Sequence, residues 1–254
     1  MRTGAVRYVD LPTMDPGDVA CVDGRAFLLH STVEASGTVF SVVDVASSRV
    51  VGSGHLPGPP GLWSSAASAV WATGDGAAGQ PSLRRIDPRS LAVSAFALGR
   101  SAPTGLAVAN GRPLVLGADG TAEAVGQDAH GVAAAIDPAG GSVIATGAVV
   151  GLARSPMRAT QVGERLVLGD WNGDEPEGRV LRVLDAATLH DIGPLRIDGI
   201  ACALATWGGR LVVVDRERGR LLVVDATSGR TESAIDLGER DLVFSDVVVV
   251  QGRG

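Results

Sequence analysis

The chain has 254 residues, a formal net charge of −6 and 22 basic residues, every one of them arginine. The acidic balance and the lack of any basic run argue against a nucleic-acid partner. The lack of lysine excludes Schiff-base chemistry and a phosphate-loop lysine. No apolar run approaches the roughly 18 residues that a membrane helix needs, and residues 1–10 lack the apolar region of a signal peptide. We therefore expect a cytoplasmic protein with no membrane partner.

An aspartate closes an alternating apolar stretch again and again along the chain, in FSVVD, LRRID, AAAID, LRVLD and LVVD. An aspartate side chain accepts backbone N–H groups from the residues that follow it, which opens a tight turn between antiparallel strands. Each aspartate therefore predicts a strand end followed by a hairpin. The five are Asp44, Asp87, Asp137, Asp185 and Asp225, separated by 43, 50, 48 and 40 residues.

A second marker runs in phase with the aspartates. Pro16, Pro60, Pro103 and Pro156 each stand just before a new strand of small residues. A glycine-containing turn and a hydrophobic strand follow, and the next aspartate ends the strand after that. Four short strands in every 40–50 residues are the period and content of a propeller blade.

The repeats predict an all-β fold, a single β-propeller domain over residues 1–254 with six blades of four antiparallel strands. Joining the C-terminal strands to the N-terminal strand in one blade would close the ring and hide two sheet edges. Because the C-terminal fragment is short, five or seven blades also stay open. The blades are predicted at 14–57, 58–101, 102–153, 154–197 and 198–238, with 239–254 plus 1–13 as the sixth.

The stretch VVDATSGRTESAIDLG, residues 223–238, resembles the YVTN-type repeat of β-propellers and, more loosely, the quinoprotein-like and NHL-type repeats. The resemblance extends over nearly the whole chain. It concerns the positions that build blades, so it implies a fold and leaves the activity open.

The predicted loops between second and third strands are much longer than the other turns, as at 119–130 and 170–178. Loops positioned by a rigid scaffold commonly carry function. We therefore predict a site on this long-loop face, at the mouth of the central channel. The acidic stretch DWNGDEPEG at 170–178 lacks EF-hand spacing, so it is predicted as a solvated loop, with no metal site and no cofactor.

The residues that follow the blade junctions are the candidate site residues, together with loop residues on the same face. A planar guanidinium offers two directed donors to a carboxylate or enolate, and a carboxylate or imidazole can move a proton. The catalytic candidates are Arg158, Asp18, Asp241 and His130. The ligand-binding candidates are Trp63, Trp171, Trp71, Thr104 and His30.

These residues favour a protein that binds a small molecule, with cofactor-free lyase, cyclase or isomerase chemistry by proton transfer. The alternative is a non-catalytic scaffold for protein interactions, which the low aromatic content of 4% disfavours. The expected assembly is a monomer or a weak homo-oligomer. Cys21 and Cys202 are too few for a disulfide framework and are predicted to be buried free thiols.

Overall fold

The computed structural model describes residues 9, 16–30, 38–56, 63–66, 68–75, 80–98, 103–118, 131–149, 156–170 and 179–238. These residues form five four-stranded antiparallel sheets, and within each sheet every strand pairs with the next one along the chain. The fold is therefore all-β and of the propeller type, as the repeats predicted. Five blades is one of the numbers that the prediction left open.

The predicted sixth blade, 239–254 plus 1–13, lies outside the described residues apart from residue 9. The assignment of 1–254 to one domain stays a prediction, because the chain divides into two compact units, 1–100 and 101–254. No helix among the described residues is both long and apolar enough to cross a bilayer.

The first unit contains blades 1 and 2, which pack directly on each other. Blade 1 consists of β1 (Pro16–Val22), β2 (Arg25–His30), β3 (Thr38–Asp44) and β4 (Arg49–Leu56). Blade 2 consists of β5 (Trp63–Ala66), β6 (Ala69–Asp75), β7 (Pro81–Ile86) and β8 (Val93–Ala97).

The second unit contains blades 3, 4 and 5. Blade 3 consists of β9 (Pro103–Ala109), β10 (Arg112–Ala118), β11 (Gly131–Ile136) and β12 (Val143–Val149). Blade 4 consists of β13 (Pro156–Val162), β14 (Arg165–Asp170), β15 (Val180–Asp185) and β16 (Asp191–Arg196). Blade 5 consists of β17 (Ala201–Trp207), β18 (Arg210–Asp215), β19 (Arg220–Val224) and β20 (Thr231–Asp236).

The turn after each third strand is built by its aspartate. In blade 5, Oδ1 of Asp225 accepts the N–H groups of Thr227 at 3.0 Å and Ser228 at 2.7 Å, and the Ser228 hydroxyl at 2.8 Å. Asp44, Asp87 and Asp185 repeat this arrangement with a serine or threonine three residues on. Asp137 accepts only the N–H groups of Ala139 and Gly140. A local sequence of Asp-x-x-Ser/Thr therefore specifies the turn.

The fifth residue of each turn has a left-handed backbone, and in blades 2, 4 and 5 it lies against the preceding blade. In blade 4 this residue is Leu189, with φ of 59° and 1% exposure. It packs in the core shared by blades 3 and 4. A Cβ at Gly147, on the outer strand of blade 3, would overlap the Leu189 carbonyl. The burial of the leucine side chain offsets the cost of a conformation that L-residues disfavour, and the turn thereby fixes the distance between two blades.

Apolar side chains fill each seam between adjacent blades within a unit. Phe27 and Phe40 of blade 1 have ring centroids 6.1 Å apart and pack with Val70, Ala72 and Ile86 of blade 2. Two further clusters join blade 3 to blade 4 and blade 4 to blade 5. Because successive side chains of a strand point to opposite faces, each blade buries both of its faces by alternate residues.

The prediction that both cysteines are buried is wrong for Cys21, which is exposed. Strand alternation turns Cys21 to the face opposite that of Ala20, which is 4% exposed and belongs to the core. Cys202 is half-buried, and its thiol lies 3.4 Å from the carbonyl oxygen of Val214.

We expect Leu189→Ala to destabilise the protein by about 2–5 kcal/mol, the range for a buried leucine truncated in a core. Urea denaturation measures the change. Ile192→Ala, in the same blade but at a side chain that is 50% exposed, is the control and should cost less than about 0.5 kcal/mol. Equal losses at the two positions would contradict the role given to the turn.

We expect Asp225→Asn to lower the urea midpoint at pH 7. Hydrogen bonds from Ser228 and Thr227 lower the pKa of Asp225 below its ordinary value of 3.8. The carboxylate therefore stabilises the fold above pH 3.8 and loses this effect as the pH falls through the lowered pKa. The difference in urea midpoint between the variant and the parent should shrink as the pH falls over that range. Asp137→Asn changes the turn that has no hydroxyl partner, and it should lower the urea midpoint by a smaller amount.

Candidate functional site

The long-loop edge is the edge of each blade where the second strand ends and the third begins. The first strand begins at the same edge, because first and second strands are antiparallel. In blade 1, Pro16 at the start of β1 pairs with His30 at the end of β2, and His30 pairs with Val39 of β3. Candidate residues at strand starts and at strand ends therefore meet at one edge of a blade.

The first strands are irregular at this edge. Their register against the second strand shifts in blades 1, 3, 4 and 5, between Pro16 and Val19, Pro103 and Gly105, Pro156 and Arg158, and Ala201 and Ala203. Asp18 and Thr104 lie within these irregularities, and Arg158 directly follows one. Bulges re-aim side chains and are over-represented next to active sites.

Four candidate residues lie at the starts of first strands. Asp18 and Trp63 belong to β1 and β5, which are neighbours in the first unit. Thr104 and Arg158 belong to β9 and β13, which are neighbours in the second unit. The structure describes the backbone of Asp18, Trp63 and Arg158 and shows Thr104 half-buried. The roles predicted for these four side chains stay predictions.

Three further candidates, Asp241, His130 and Trp171, lie outside the described residues. Their predicted roles in catalysis and ligand binding stay predictions. Within the described ranges, no group of three or more His, Cys, Asp or Glu side chains is arranged to hold a metal ion.

Trp71 lies inside blade 2 and is fully buried. Its indole Nε1 donates a hydrogen bond to the Ala66 carbonyl at 3.0 Å, and its ring centroid lies 6.1 Å from that of Phe96. These contacts join the first, second and fourth strands of the blade. The ligand contact predicted for Trp71 stays a prediction.

His30, the last residue of β2, is fully buried at the long-loop edge. Its Nε2 lies 2.8 Å from the hydroxyl of Ser41 on the neighbouring strand. No described residue forms a hydrogen bond with the other ring nitrogen, Nδ1. Burial lowers the pKa of His30 below its ordinary value of 6.5, so the imidazole is neutral at pH 7. A neutral imidazole can accept a proton, which is the property that a general base requires.

Buried polar side chains gather in the first unit. Of the seven among the described residues, six lie on the second and third strands of blades 1 and 2, and their positions or contacts place most of them near the long-loop edge. In the second unit only one is found, on β18. The six are His30, Thr38, Ser41, Thr73, Ser82 and Arg84, and the seventh is Asp215.

Arg84 brings a buried guanidinium to this edge of blade 2, with only 2% of the residue exposed. Strand alternation puts it on the same face as Ile86, which packs against blade 1. The guanidinium lies over Gly74, near the end of β6. A Cβ there would stand 2.8 Å from Nη1 and 3.0 Å from Cζ. Ser82 donates its hydroxyl proton to the Gly74 carbonyl at 2.9 Å.

Blade 5 shows how a buried charge at this edge is neutralised internally. Asp215, the last residue of β18, is fully buried and forms an ion pair with Arg220 at 2.9 Å. It also accepts the N–H of Ile200 at 3.1 Å. These partners tie the second strand to the third and to the connection from blade 4, so Asp215 acts within the fold.

The sequence predictions missed Ser41, Gly74 and Arg84. A signal for two of them exists, because Ser41 and Arg84 both stand three residues before a turn aspartate. Aligning the third strands on their aspartates puts a polar residue at one repeated position. The alternation of side chains along the strand then assigns that position to one face of the sheet, which the turn motif alone does not do.

No family model matches the sequence, and no curated protein matches it. Among solved structures, a protein of unknown function from Bacteroides caccae superposes with a TM-score of 0.58 at 9% identity, over 85% of this chain and 74% of the other. BamB from Moraxella catarrhalis, a β-propeller, superposes with a TM-score of 0.52 at 15% identity. That match spans 87% of this chain and 64% of the BamB chain. Both likenesses concern the propeller fold alone.

We expect His30→Gln to flatten the dependence of stability on pH. The unfolded chain binds more protons than the folded protein between the lowered pKa of His30 and 6.5. The parent's stability should therefore rise with pH through this window and fall as the window is crossed towards acid. Urea denaturation from pH 7.5 to 5 measures the slope. His55→Gln, at an exposed residue of β4, controls for the loss of an imidazole.

Proposed function

We propose that this protein binds a small molecule at the long-loop edge of its blades and acts on it by proton transfer, as a cofactor-free lyase, cyclase or isomerase. The observation that carries the proposal is the concentration of buried polar side chains at that edge in blades 1 and 2. The cluster that joins these two blades is apolar.

Folding alone does not require polar residues at these positions. At the position of Ser41 and Arg84, three residues before the turn aspartate, blades 3 and 5 carry Ala134 and Leu222. Leu222 is fully buried in an apolar cluster. Because an apolar residue completes the blade at this position, the polar residues of blades 1 and 2 support a function at this edge.

In the proposed site, neutral His30 and the carboxylates of Asp18 and Asp241 accept or return a proton, together with His130. Arg158 stabilises negative charge that develops on the ligand, because a guanidinium presents directed donors. The contacts proposed for the ligand itself come from Trp63, Trp171, Trp71 and Thr104. The register irregularities at the starts of the first strands support this placement, since bulges commonly border active sites.

A second candidate function is a protein-interaction scaffold. The observation that favours it is the exposure of apolar residues along the outer strands of the described blades. Such edges are templates for pairing with another chain. Examples are Val51 at 52%, Val143 at 53%, Ile192 at 50% and Ile235 at 55% exposure.

A thermal-shift screen of neutral and charged metabolites, with hits confirmed by calorimetry, tests the proposal. We expect Arg158→Ala to weaken binding of a hit at least tenfold while leaving the urea midpoint of the ligand-free protein close to that of the parent. A variant that unfolds in step with its loss of binding would contradict the role of Arg158. If no compound binds and a protein partner is instead lost on Ile192→Asp, the scaffold function is supported.

A further inference from the structure

We propose that His30 is a pH-sensitive latch that holds the second and third strands of blade 1 together at the long-loop edge, and that its protonation lets the two strand ends separate. This inference deepens the proposed function and rests on it for its biological meaning, because the same edge carries the proposed site. It is carried by three observations: the repeat position that His30 occupies, the hydrogen bond that it shares with Ser41, and a second ring nitrogen for which no described residue provides a partner.

His30 occupies a position at which three other blades carry a carboxylate. It is the last residue of the second strand, where blades 2, 4 and 5 have Asp75, Asp170 and Asp215. Blade 5 shows what a side chain does there, because Asp215 binds a side chain of the third strand and a backbone N–H just before the first strand. Histidine is the side chain whose charge ordinarily changes between pH 5 and 8. Blade 1 therefore has a titratable group at a position that ties strands together.

The tie in blade 1 is a hydrogen bond between two buried side chains. His30 and Ser41 are both fully buried, and Nε2 of the histidine lies 2.8 Å from the serine hydroxyl. The backbone pairs His30 with Val39 and Leu28 with Ser41, so this hydrogen bond runs diagonally between β2 and β3. His30 and Val39 form the last pair of the two strands. The hydrogen bond therefore secures the end of the ladder, which is where strands fray most readily.

Protonation removes the arrangement on which this hydrogen bond depends. A neutral imidazole has one N–H, whereas an imidazolium has two and needs an acceptor for each. The Ser41 hydroxyl can accept from Nε2, but no described residue offers an acceptor to Nδ1. Burying a cation without a partner is costly. The protonated ring is therefore more stable in water than in its buried place.

The described side chains around His30 supply no balancing negative charge. On the neighbouring strand, β3 presents Val39 and Ser41, and beyond it β4 presents His55, which pairs with Val39 in the same cross-strand row. Asp18 lies near the start of β1, and the structure describes only its backbone. Burial is accordingly the cause that lowers the pKa of His30.

The direction of the pH effect follows from this geometry. With the strand ends together, the pKa of His30 lies below 6.5, and a ring that has reached water regains the ordinary value of about 6.5. The separated strand ends therefore bind the proton more tightly, so a pH below 6.5 shifts the equilibrium towards them. At pH 5, about 1.5 below the ordinary pKa, the separated population rises by up to about thirtyfold. In acid, the proposed site then loses both its base and its shape.

Hydrogen–deuterium exchange of the full chain without ligand, at pH 7.5 and pH 5 and corrected for the intrinsic exchange rate, tests the latch. We expect the protection of amides in 28–30 and 38–41 to fall by about fivefold to thirtyfold at pH 5. The equivalent strand ends of blade 5, 213–215 and 220–222, contain no histidine. Their protection should change by less than about twofold.

Three variants separate the imidazole from its surroundings. His30→Gln keeps a neutral hydrogen-bonding side chain and should abolish the pH dependence of protection in blade 1. Ser41→Ala removes the serine hydroxyl and should lower the protection already at pH 7.5. His55→Gln is the matched control, because it removes an exposed imidazole from the same cross-strand row, and it should keep the pH dependence of the parent.

An equal loss of protection in blades 1 and 5 at pH 5 would overturn the proposal, because it would show global unfolding. Protection of blade 1 that does not change with pH would also overturn it, as would equal effects of His30→Gln and His55→Gln. If a variant fails to fold, the exchange of the parent protein decides alone. Because no ligand is present, a pH-independent edge in a protein that binds a metabolite would overturn this inference and leave the proposed function standing.

Discussion

The hydrogen bonds from a turn to the aspartate that precedes it are the interaction on which the blades depend. Oδ1 of Asp225 accepts hydrogen bonds from the second and third residues after it, and the backbone then turns left-handed at the fifth position of the turn. In blades 2, 4 and 5 that fifth residue lies against the outer strand of the blade before it, as Leu189 does at Gly147. A turn specified by a few neighbouring residues therefore sets the distance between two consecutive blades. The seam between blades is closed at one edge by short, internally satisfied turns.

The turns that follow the third strands close the seam at one edge of the blades. The opposite edge, which is the long-loop edge, is less constrained. At that edge the second strand ends and the third begins. In the first unit, the buried side chains there include the polar residues His30, Ser41 and Arg84. In blade 5 of the second unit, the position equivalent to Ser41 and Arg84 carries the apolar Leu222, and the position equivalent to His30 carries Asp215, which forms an ion pair with Arg220. In a low-dielectric interior, a polar group interacts strongly with a neighbouring polar or charged group. This asymmetry between repeats supports the proposed site in the first unit.

The repeats could be found from the sequence because their chemistry is local. The aspartate, its hydroxyl partner and the left-handed residue lie within five positions, so the turns, the strand order and the fold class all follow from short patterns. The direction in which an arginine side chain points from its strand does not follow from a short local pattern. Arg84 and Arg182 occupy the same position in the repeat but point opposite ways, because Asp191 on another strand attracts one and the space at Gly74 accepts the other. The exposure of Cys21 was missed for a related reason, since the faces of a first strand are set by its neighbours and not by its own composition.

His30 and Arg84 differ in charge state as well as in position. His30 lies on the face of blade 1 turned away from blade 2, as its contact with Ser41 shows, whereas Arg84 lies in the seam between the blades. Burial keeps the imidazole neutral, and a guanidinium stays protonated at any physiological pH. A buried neutral imidazole can exchange a proton with a ligand, whereas a guanidinium supplies only a fixed positive charge. Because Arg84 belongs to blade 2 and faces blade 1, and His30 lies on the other face of blade 1, the sheet of blade 1 separates the two groups. The site we propose therefore lies over the strand ends of the blades, where His30 stands on the face of blade 1 turned away from the seam.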